Sequence, residues 1–308
     1  MNKTANFLLI FYFLLNSLSP TIADSPKTIF KGTVRKILTD FASDIKPENF
    51  APLPEGLKII ASEKFTGLKV APGSLILRIN TWKEPHGLLV ENKRSIDQGL
   101  KVVAEVNGTF FSQRGPLGQV ISDGAIPKNI RQFPGTITRS FFAIYKDLET
   151  QQRWIFGETS LSADNFIKDI LPPNKCRFNE AKPISSNITG LIGGGGWLIN
   201  NGKPAYNEAV KRQFFRFRPE DETACKTVLA KDSEGFLYLV VFKSGLNLYN
   251  VTLALMKAPE FGKITSAIFL DGGSSSCIVL KEKYLVPPLY QIDKCRFTSI
   301  QLLLPEKM

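Results

Sequence analysis

Ala267-Ile-Phe-Leu-Asp271-Gly-Gly-Ser-Ser-Ser-Cys277 carries an apolar strand straight into a carboxylate, two glycines and three serines. One acid thus stands at a strand end beside backbone amides that little side-chain bulk covers, a corner suited to an anion. The strand, Ile264 to Leu270, follows a segment at Val251 to Lys257 that reads as a helix capped by Asn250. Further upstream, Val228 to Phe242 reads as a hairpin turning at Asp232 to Gly235. Short apolar runs bounded by Gly, Asn and Asp predict strands at Leu75 to Ile79, Val102 to Val106, Gln119 to Ser122, Phe141 to Tyr145, Trp154 to Phe156, Leu191-Ile192, Trp197 to Ile199 and Thr227 to Ala230. A second helix is expected at Asn165 to Ile170, stopped by Pro172-Pro173. The fold class is α+β, a strand-dominated mixed sheet with few helices in a single main domain.

Three segments are expected along the chain. Residues 1–23 read as a signal peptide, with Lys3 as the positive start, Phe7 to Leu15 as a short apolar core and Thr21-Ile22-Ala23 as a small-residue cleavage site. The apolar core falls short of the roughly 20 residues a bilayer requires, so no stable membrane span is expected after cleavage. Residues 24–70, polar and marked by Pro47, Pro52 and Pro54, read as a lead-in segment, and the domain proper as residues 71–308. A secreted or periplasmic location follows from the signal.

The 308-residue chain is 43% hydrophobic and carries a formal charge of +11, reduced by one when the signal leaves with Lys3. Its basic residues are scattered and no nucleic-acid module is present, so the charge favours small or polymeric anions over DNA. Lys211-Arg-Gln-Phe-Phe-Arg-Phe-Arg218 is a local exception, where cations alternate with aromatics. Four cysteines, Cys176, Cys225, Cys277 and Cys295, in an exported chain predict two disulfides, with three pairings open. With His86 as the only histidine, a His-based metal site and a His-centred triad are both disfavoured. No cofactor is expected, and chemistry must rest on carboxylates, lysine, amides or backbone.

Four corners marked by glycine or asparagine adjoin apolar strands. In Val103-Ala-Glu-Val-Asn107-Gly-Thr-Phe-Phe111, strand alternation puts Glu105 and Asn107 on one face, where they can bind sugar hydroxyls or position water. An Asn-Gly turn ending an edge strand explains the same residues. Gly118-Gln-Val-Ile-Ser-Asp-Gly124 ends in a simple turn. Gly193 to Gly196 spend backbone entropy without side-chain packing, which calls for close approach by a ligand or by another backbone. Trp197 beside them is either an aromatic floor for a sugar or a core residue. The fourth corner is the Asp271 stretch.

Together the four resemble the phosphodiester glycosidase family. Members carry an Asn-Gly-Gly-Phe-Phe-like element, similar to Asn107-Gly-Thr-Phe-Phe111, and a Pro-x-Gly-x-x-Ile-x-x-Gly-like stretch, similar to Pro116 to Gly124. They also have a glycine-rich strand turn ending in Asn-Gly-Lys, similar to Gly193 to Lys203, and a Leu-Asp-Gly-Gly-Gly-Ser hallmark that is here Leu270-Asp-Gly-Gly-Ser-Ser275. Order and spacing agree over roughly residues 75 to 304. Two departures stand out. Cys225-Lys226-Thr227 replaces the usual Pro-Arg-Thr, turning a bidentate guanidinium into a point charge, and Thr109 and Ser274 replace motif glycines.

The resemblance implies an exported hydrolase that cleaves the glycosidic bond of a sugar-1-phosphodiester, with a phosphorylated glycan or cell-envelope polymer as its partner. On that basis Asp271 is the expected nucleophile or general base, and Glu105 the second carboxylate that orients water or protonates the leaving oxygen. Lys226 and the amides of Gly194, Gly195, Gly196, Gly272, Gly273 and the neighbouring Ser274 would receive the phosphate, and Asn107 a sugar hydroxyl. Two other readings stay open: a binder of phosphorylated glycan without turnover, which the Lys226 substitution favours, and a metal-dependent phosphodiesterase that cuts the P–O bond.

Overall fold

The computed structural model describes residues 47–112, 115–127, 138–146, 151–159, 176–178, 187–213, 215, 219–288 and 296–305. Ile45–Met308 form one compact unit. In chain order its strands are β1 (Leu57–Ala61), β2 (Phe65–Val70), β3 (Ile76–His86), β4 (Val102–Asn107), β5 (Phe111–Ser112), β6 (Gly115–Pro116), β7 (Val120–Ile121), β8 (Arg139–Lys146) and β9 (Gln152–Thr159). There follow β10 (Cys176–Phe178), β11 (Ile188–Asn200), β12 (Lys203–Pro204), β13 (Lys226–Asp232), β14 (Leu237–Phe242), β15 (Ile264–Phe269), β16 (Ile278–Leu280), β17 (Lys283–Val286) and β18 (Arg296–Leu303). The α-helices are α1 (Leu88–Asp97), α2 (Tyr206–Lys211), α3 (Pro219–Glu222) and α4 (Leu248–Lys257).

An eleven-stranded sheet runs β1-β2-β14-β13-β15-β11-β8-β9-β10, with β7 and β12 also paired to β11, and a five-stranded sheet runs β17-β16-β4-β18-β3. The fold is α+β and strand-dominated, with few helices. Alternation along the strands explains how the layers form. Leu229, Leu239, Val241 and Ile268 of the large sheet meet Ala104, Val106, Ile278, Ile300 and Leu302 of the small one in a shared core. The opposite face of the large sheet, with Val228, Ala230, Val240 and Phe269, is covered by Leu248, Val251 and Leu255 of α4 and Ala209 of α2. Strands buried on both faces read as nearly continuous apolar runs, as β14 does. The outer face of the small sheet packs Val279 and Cys277 against Leu88 of α1.

Several expectations change. β1 and β2 pair with each other and with β14, so the sheet begins at Leu57, ahead of the expected boundary at residue 71. The apolar alternation of Leu57 to Val70 was hidden by the flanking prolines. Gly193 to Gly196 form part of one continuous strand, β11, and not a bend between two. The α4 cap is Asn247, whose side chain accepts the Asn250 N–H at 2.9 Å; Asn250 is inside the first turn. The expected helix at residues 165–170 lies outside the described residues. No described helix is long and apolar enough to cross a membrane.

Candidate active site

β15 delivers Asp271 to the seam between the sheets. The chain crosses there from the large sheet to β16 of the small one through residues 271–277, with a 3-10 turn at Gly273–Ser275. Both sides tie this crossover down. Leu270 N donates to Thr227 O (2.8 Å) and Gly273 N to Cys225 O (2.8 Å), at the entry of β13, while Asp271 N donates to Gly108 O (3.3 Å), just past β4. The motif glycines are required by geometry. A Cβ on Gly272 would stand 2.5 Å from the Cys225 carbonyl oxygen, and Gly273 sits at φ +61°, a region L side chains avoid. Asp271, Gly272 and Gly273 are half-buried and Ser274 is exposed, so this turn is the part of the hallmark that meets solvent.

Asn107 works from beneath. It is 1% exposed; its Nδ2 donates to Asp271 O (3.0 Å), and its Oδ1 accepts from Thr227 Oγ1 (2.8 Å) and Cys277 N (3.0 Å). Thr227 Oγ1 also lies 3.1 Å from Ser276 Oγ. One carboxamide therefore pins the Asp271 backbone to both sheets. The expectation that Asn107 holds a sugar hydroxyl is corrected: its oxygen is spent on protein donors and the residue is enclosed. Asn107-Gly-Thr109 has the form of an N-glycosylation sequon, but the enclosed Asn107 has no room for a glycan.

Glu105 is also displaced from its expected role. Alternation does put it on the face of Asn107, but α1 covers that face and the residue is 0% exposed. Asn92 Nδ2 of α1 donates to its Oε2 (3.2 Å) and Ser299 Oγ of β18 to its Oε1. Burial raises its pKa from 4.5 to about 7 against these hydrogen bonds, which pull the other way. A carboxyl group sealed in this manner does not touch a substrate; it anchors a polar layer that includes Gln301 bonded to Ser95 (2.8 Å).

Lys226 is 3% exposed, and its Nζ donates to the carbonyls of Asp221 (2.9 Å), Glu222 (3.0 Å) and Ala224 (2.7 Å). All three ammonium donors are used on the chain end of α3. Burial lowers its pKa to about 8. The expected phosphate cation is in fact a clasp for the loop ahead of β13, although its stem passes Gly272.

The glycine run is packed by protein. A Cβ on Gly194, whose φ is +84°, would meet Thr109 Oγ1 and Gly118 Cα at 2.8 and 2.9 Å, one on Gly195 the Phe269 carbonyl at 2.8 Å, and one on Gly196 the Phe269 ring at 2.5 Å. Gly195 and Gly196 pair with Ser140 and Phe269 in the sheet. Close approach by neighbouring backbone and rings accounts for the run, which corrects the expectation that Gly194 to Gly196 cradle phosphate. Trp197 is fully buried with Nε1 donating to Glu158 Oε2 (3.0 Å), so it offers no sugar platform.

Arg139, which the sequence reading passed over, stands at the start of β8. Its guanidinium stacks on the Phe215 ring at 3.8 Å, and burial lowers its pKa. Phe215 packs on Phe269 (4.7 Å) and Phe110 (5.6 Å). Cys225 and Cys277 are free thiols, against the expectation of two disulfides, and the side chains of Cys176 and Cys295 lie outside the described residues. Among the described residues no group of three or more His, Cys, Asp or Glu side chains is arranged to hold a metal ion.

Residues 100–294, well over half of the chain, match the phosphodiester glycosidase family. The protein belongs to that family. Its fold resembles the catalytic domain of zebrafish N-acetylglucosamine-1-phosphodiester alpha-N-acetylglucosaminidase, a structure auto-inhibited by its pro-peptide, at TM-score 0.55 and 20% identity, covering 82% of each chain. It resembles an exported-protein candidate from Burkholderia pseudomallei at TM-score 0.56 and 12% identity, over 91% of this chain and 81% of that one. A hypothetical protein from Synechocystis gives TM-score 0.52 and 15% identity, over 81% and 61%. No curated protein matches the chain.

In this member of the family, the two replaced motif glycines have structural explanations. Thr109 is buried and its Oγ1 donates to Gly193 O, so the hydroxyl joins β11 to the Asn107 loop. Ser274 points its bulk to solvent at the crossover rim, where an extra side chain costs nothing in packing.

Proposed function

We propose that the protein is an exported hydrolase that breaks the C1–O bond of a sugar-1-phosphodiester and releases the sugar and a phosphomonoester. Family membership over residues 100–294 supports this reading most directly. A partly buried carboxylate, its Oδ2 shielded from solvent, at a seam fixed from both sheets gives it a chemical centre. A phosphomonoester leaves far more readily than a sugar alcohol, so the strong proton donor of ordinary glycosidases is less necessary and one carboxylate can serve. Asp271 either removes a proton from water as that water attacks C1, or attacks C1 itself to form a glycosyl ester that water then hydrolyses; in both cases the bond from C1 to the bridging oxygen breaks and its electron pair leaves with the phosphate. The Gly272–Ser274 turn is the part of the hallmark open to the substrate. Asn107 and Thr227 act as positioning residues that fix the Asp271 backbone, and Glu105 supports the layer below. The natural setting of the reaction is the secretory or periplasmic space, with a phosphorylated glycan or envelope polymer as substrate.

The test is sugar release from a small panel of sugar-1-phosphodiesters in the presence of chelator, beside Asp271→Asn. Wild-type turnover that the variant loses supports the proposal. Full turnover by Asp271→Asn removes this carboxylate from the chemistry, and tight binding of phosphorylated glycan with no sugar released turns the protein into a binder. An N-terminus of the mature protein near Asp24 checks the export signal.

A further inference from the structure

α4 is apolar on two sides. Leu248, Val251, Ala254 and Leu255 face the large sheet, and Thr252 among them spends its hydroxyl on the Leu248 carbonyl (2.8 Å). The opposite side carries Tyr249, Leu253 and Met256, spaced i, i+4, i+7 and so aligned along two turns. A surface helix ordinarily turns charged or polar residues to solvent there. Tyr249 is instead 52% exposed and Met256 46%, with Leu253 half-buried between them. α2 extends the stripe: the Tyr206 ring meets the Tyr249 ring edge-on at 5.7 Å, and Val210, one turn along from Tyr206, is 48% exposed. Of the seven large apolar side chains exposed among the described residues, three therefore lie on this helix pair. Single exposed hydrophobics are ordinary, whereas side chains joined into a patch mark an interaction surface.

Charge selects the partner. The charged residues of α2 and α4 are Glu208, Lys211 and Lys257. Glu208 is held in an ion pair by Arg212 (2.7 Å), while Lys211 and Lys257 end the two helices and Lys203 precedes α2, all three exposed. A second copy docked through this face would set the lysine rim against itself, an unfavourable juxtaposition. An anionic bilayer surface fits both features. Its headgroup and acyl boundary accepts the apolar side chains, while lysine stems lie along the patch with their ammonium groups at the lipid phosphates. Tyrosine suits that depth, with its ring in the apolar layer and its hydroxyl among the headgroups. The formal charge of +11 on the chain draws it the same way.

We propose that the α2–α4 face docks the protein on an anionic phospholipid bilayer as a peripheral contact. The inference is independent of the glycosidase reading, because no patch residue belongs to the Asp271 seam. The protein is used without residues 1–23, whose apolar run would bind lipid by itself; Ile45–Met308 form a compact unit without them. It is sedimented with vesicles of phosphatidylcholine alone and of phosphatidylcholine mixed with phosphatidylglycerol, at low and high salt. Binding to the mixed vesicles, weakened by salt, is the expected result. Tyr249→Ser combined with Met256→Ser should weaken it about ten- to hundred-fold, and Lys211→Gln combined with Lys257→Gln about ten-fold. Thermal midpoint and sugar release from a soluble diester hold in both variants. If the serine variant does not fold, the lysine variant carries the test. Failure of the wild type to bind mixed vesicles overturns the inference, as does equal binding to neutral vesicles or binding unchanged in either variant. A concentration-dependent dimer in light scattering that the serine variant abolishes, without vesicle binding, gives the face to a second copy and overturns it too. Vesicle binding by a protein that releases no sugar ends the glycosidase reading alone.

Discussion

Gly272 and Gly273 are half-exposed at the rim of the seam, one pressed against the Cys225 carbonyl and the other in a left-handed turn. Gly193 to Gly196 are buried in β11, where rings and carbonyls of neighbouring strands occupy the space a side chain would need. Both runs are glycine because something comes close. At the crossover the close approach bends the chain and carries Asp271 into a turn that is only partly buried; in β11 it lets strands and Phe215 pack without a gap. The same contrast separates the polar residues of the motifs. Asp271 is only partly buried, whereas Glu105, Asn107 and Lys226 are enclosed and bonded to protein.

The contrast breaks first at Asp271. Asp271→Asn is expected to lower kcat by about 10²- to 10⁴-fold with little change in thermal midpoint, the range for loss of a general base. A variant of equal activity would place the chemistry elsewhere in the seam.

Glu105→Gln acts on stability. Because the folded pKa is raised to about 7 from 4.5, the group's contribution is full below pH 4.5 and is lost as pH rises through 7. The fall in unfolding free energy from pH 5 to pH 8 should therefore shrink by about 2 to 3 kcal/mol in the variant, read by denaturant titration at both pH values. An unaltered pH profile would mean that Glu105 is better solvated than its enclosure indicates.

Gly196→Ala tests the packing side. A methyl 2.5 Å from the Phe269 ring should cost about 1 to 3 kcal/mol, seen as a lower midpoint with KM retained. Loss of substrate affinity at full stability would instead return the glycine run to the binding site. The smallest effect is expected from Lys226→Met, which lowers the midpoint while leaving KM within about two-fold, as loss of a scaffold contact should. A large rise in KM there would restore the phosphate role that the sequence pointed to.

How far the sequence reaches can be judged residue by residue. The Val228 to Phe242 hairpin, β4 and β15 were legible because alternation and turn residues are local properties of the chain. The same locality made Glu105 and Asn107 face-mates. It did not reveal α1, whose buried face includes Glu91, Asn92 and Ser95 and so lacks an apolar stripe. Without that helix Glu105 looked open. Arg139 gave no signal at all, since one cation ahead of a strand is indistinguishable from a solvated one until Phe215 is folded onto it.

By itself the chain determined the family, the α+β class and the strand end that carries Asp271, since these depend on residue order, periodicity and spacing. Which polar groups remain available was decided only by the tertiary structure. A hydrogen-bond partner or a covering helix comes from residues tens or hundreds of positions away, as Ser299 does for Glu105 and Thr227 for Asn107, and those contacts exist only once the two sheets have closed on each other.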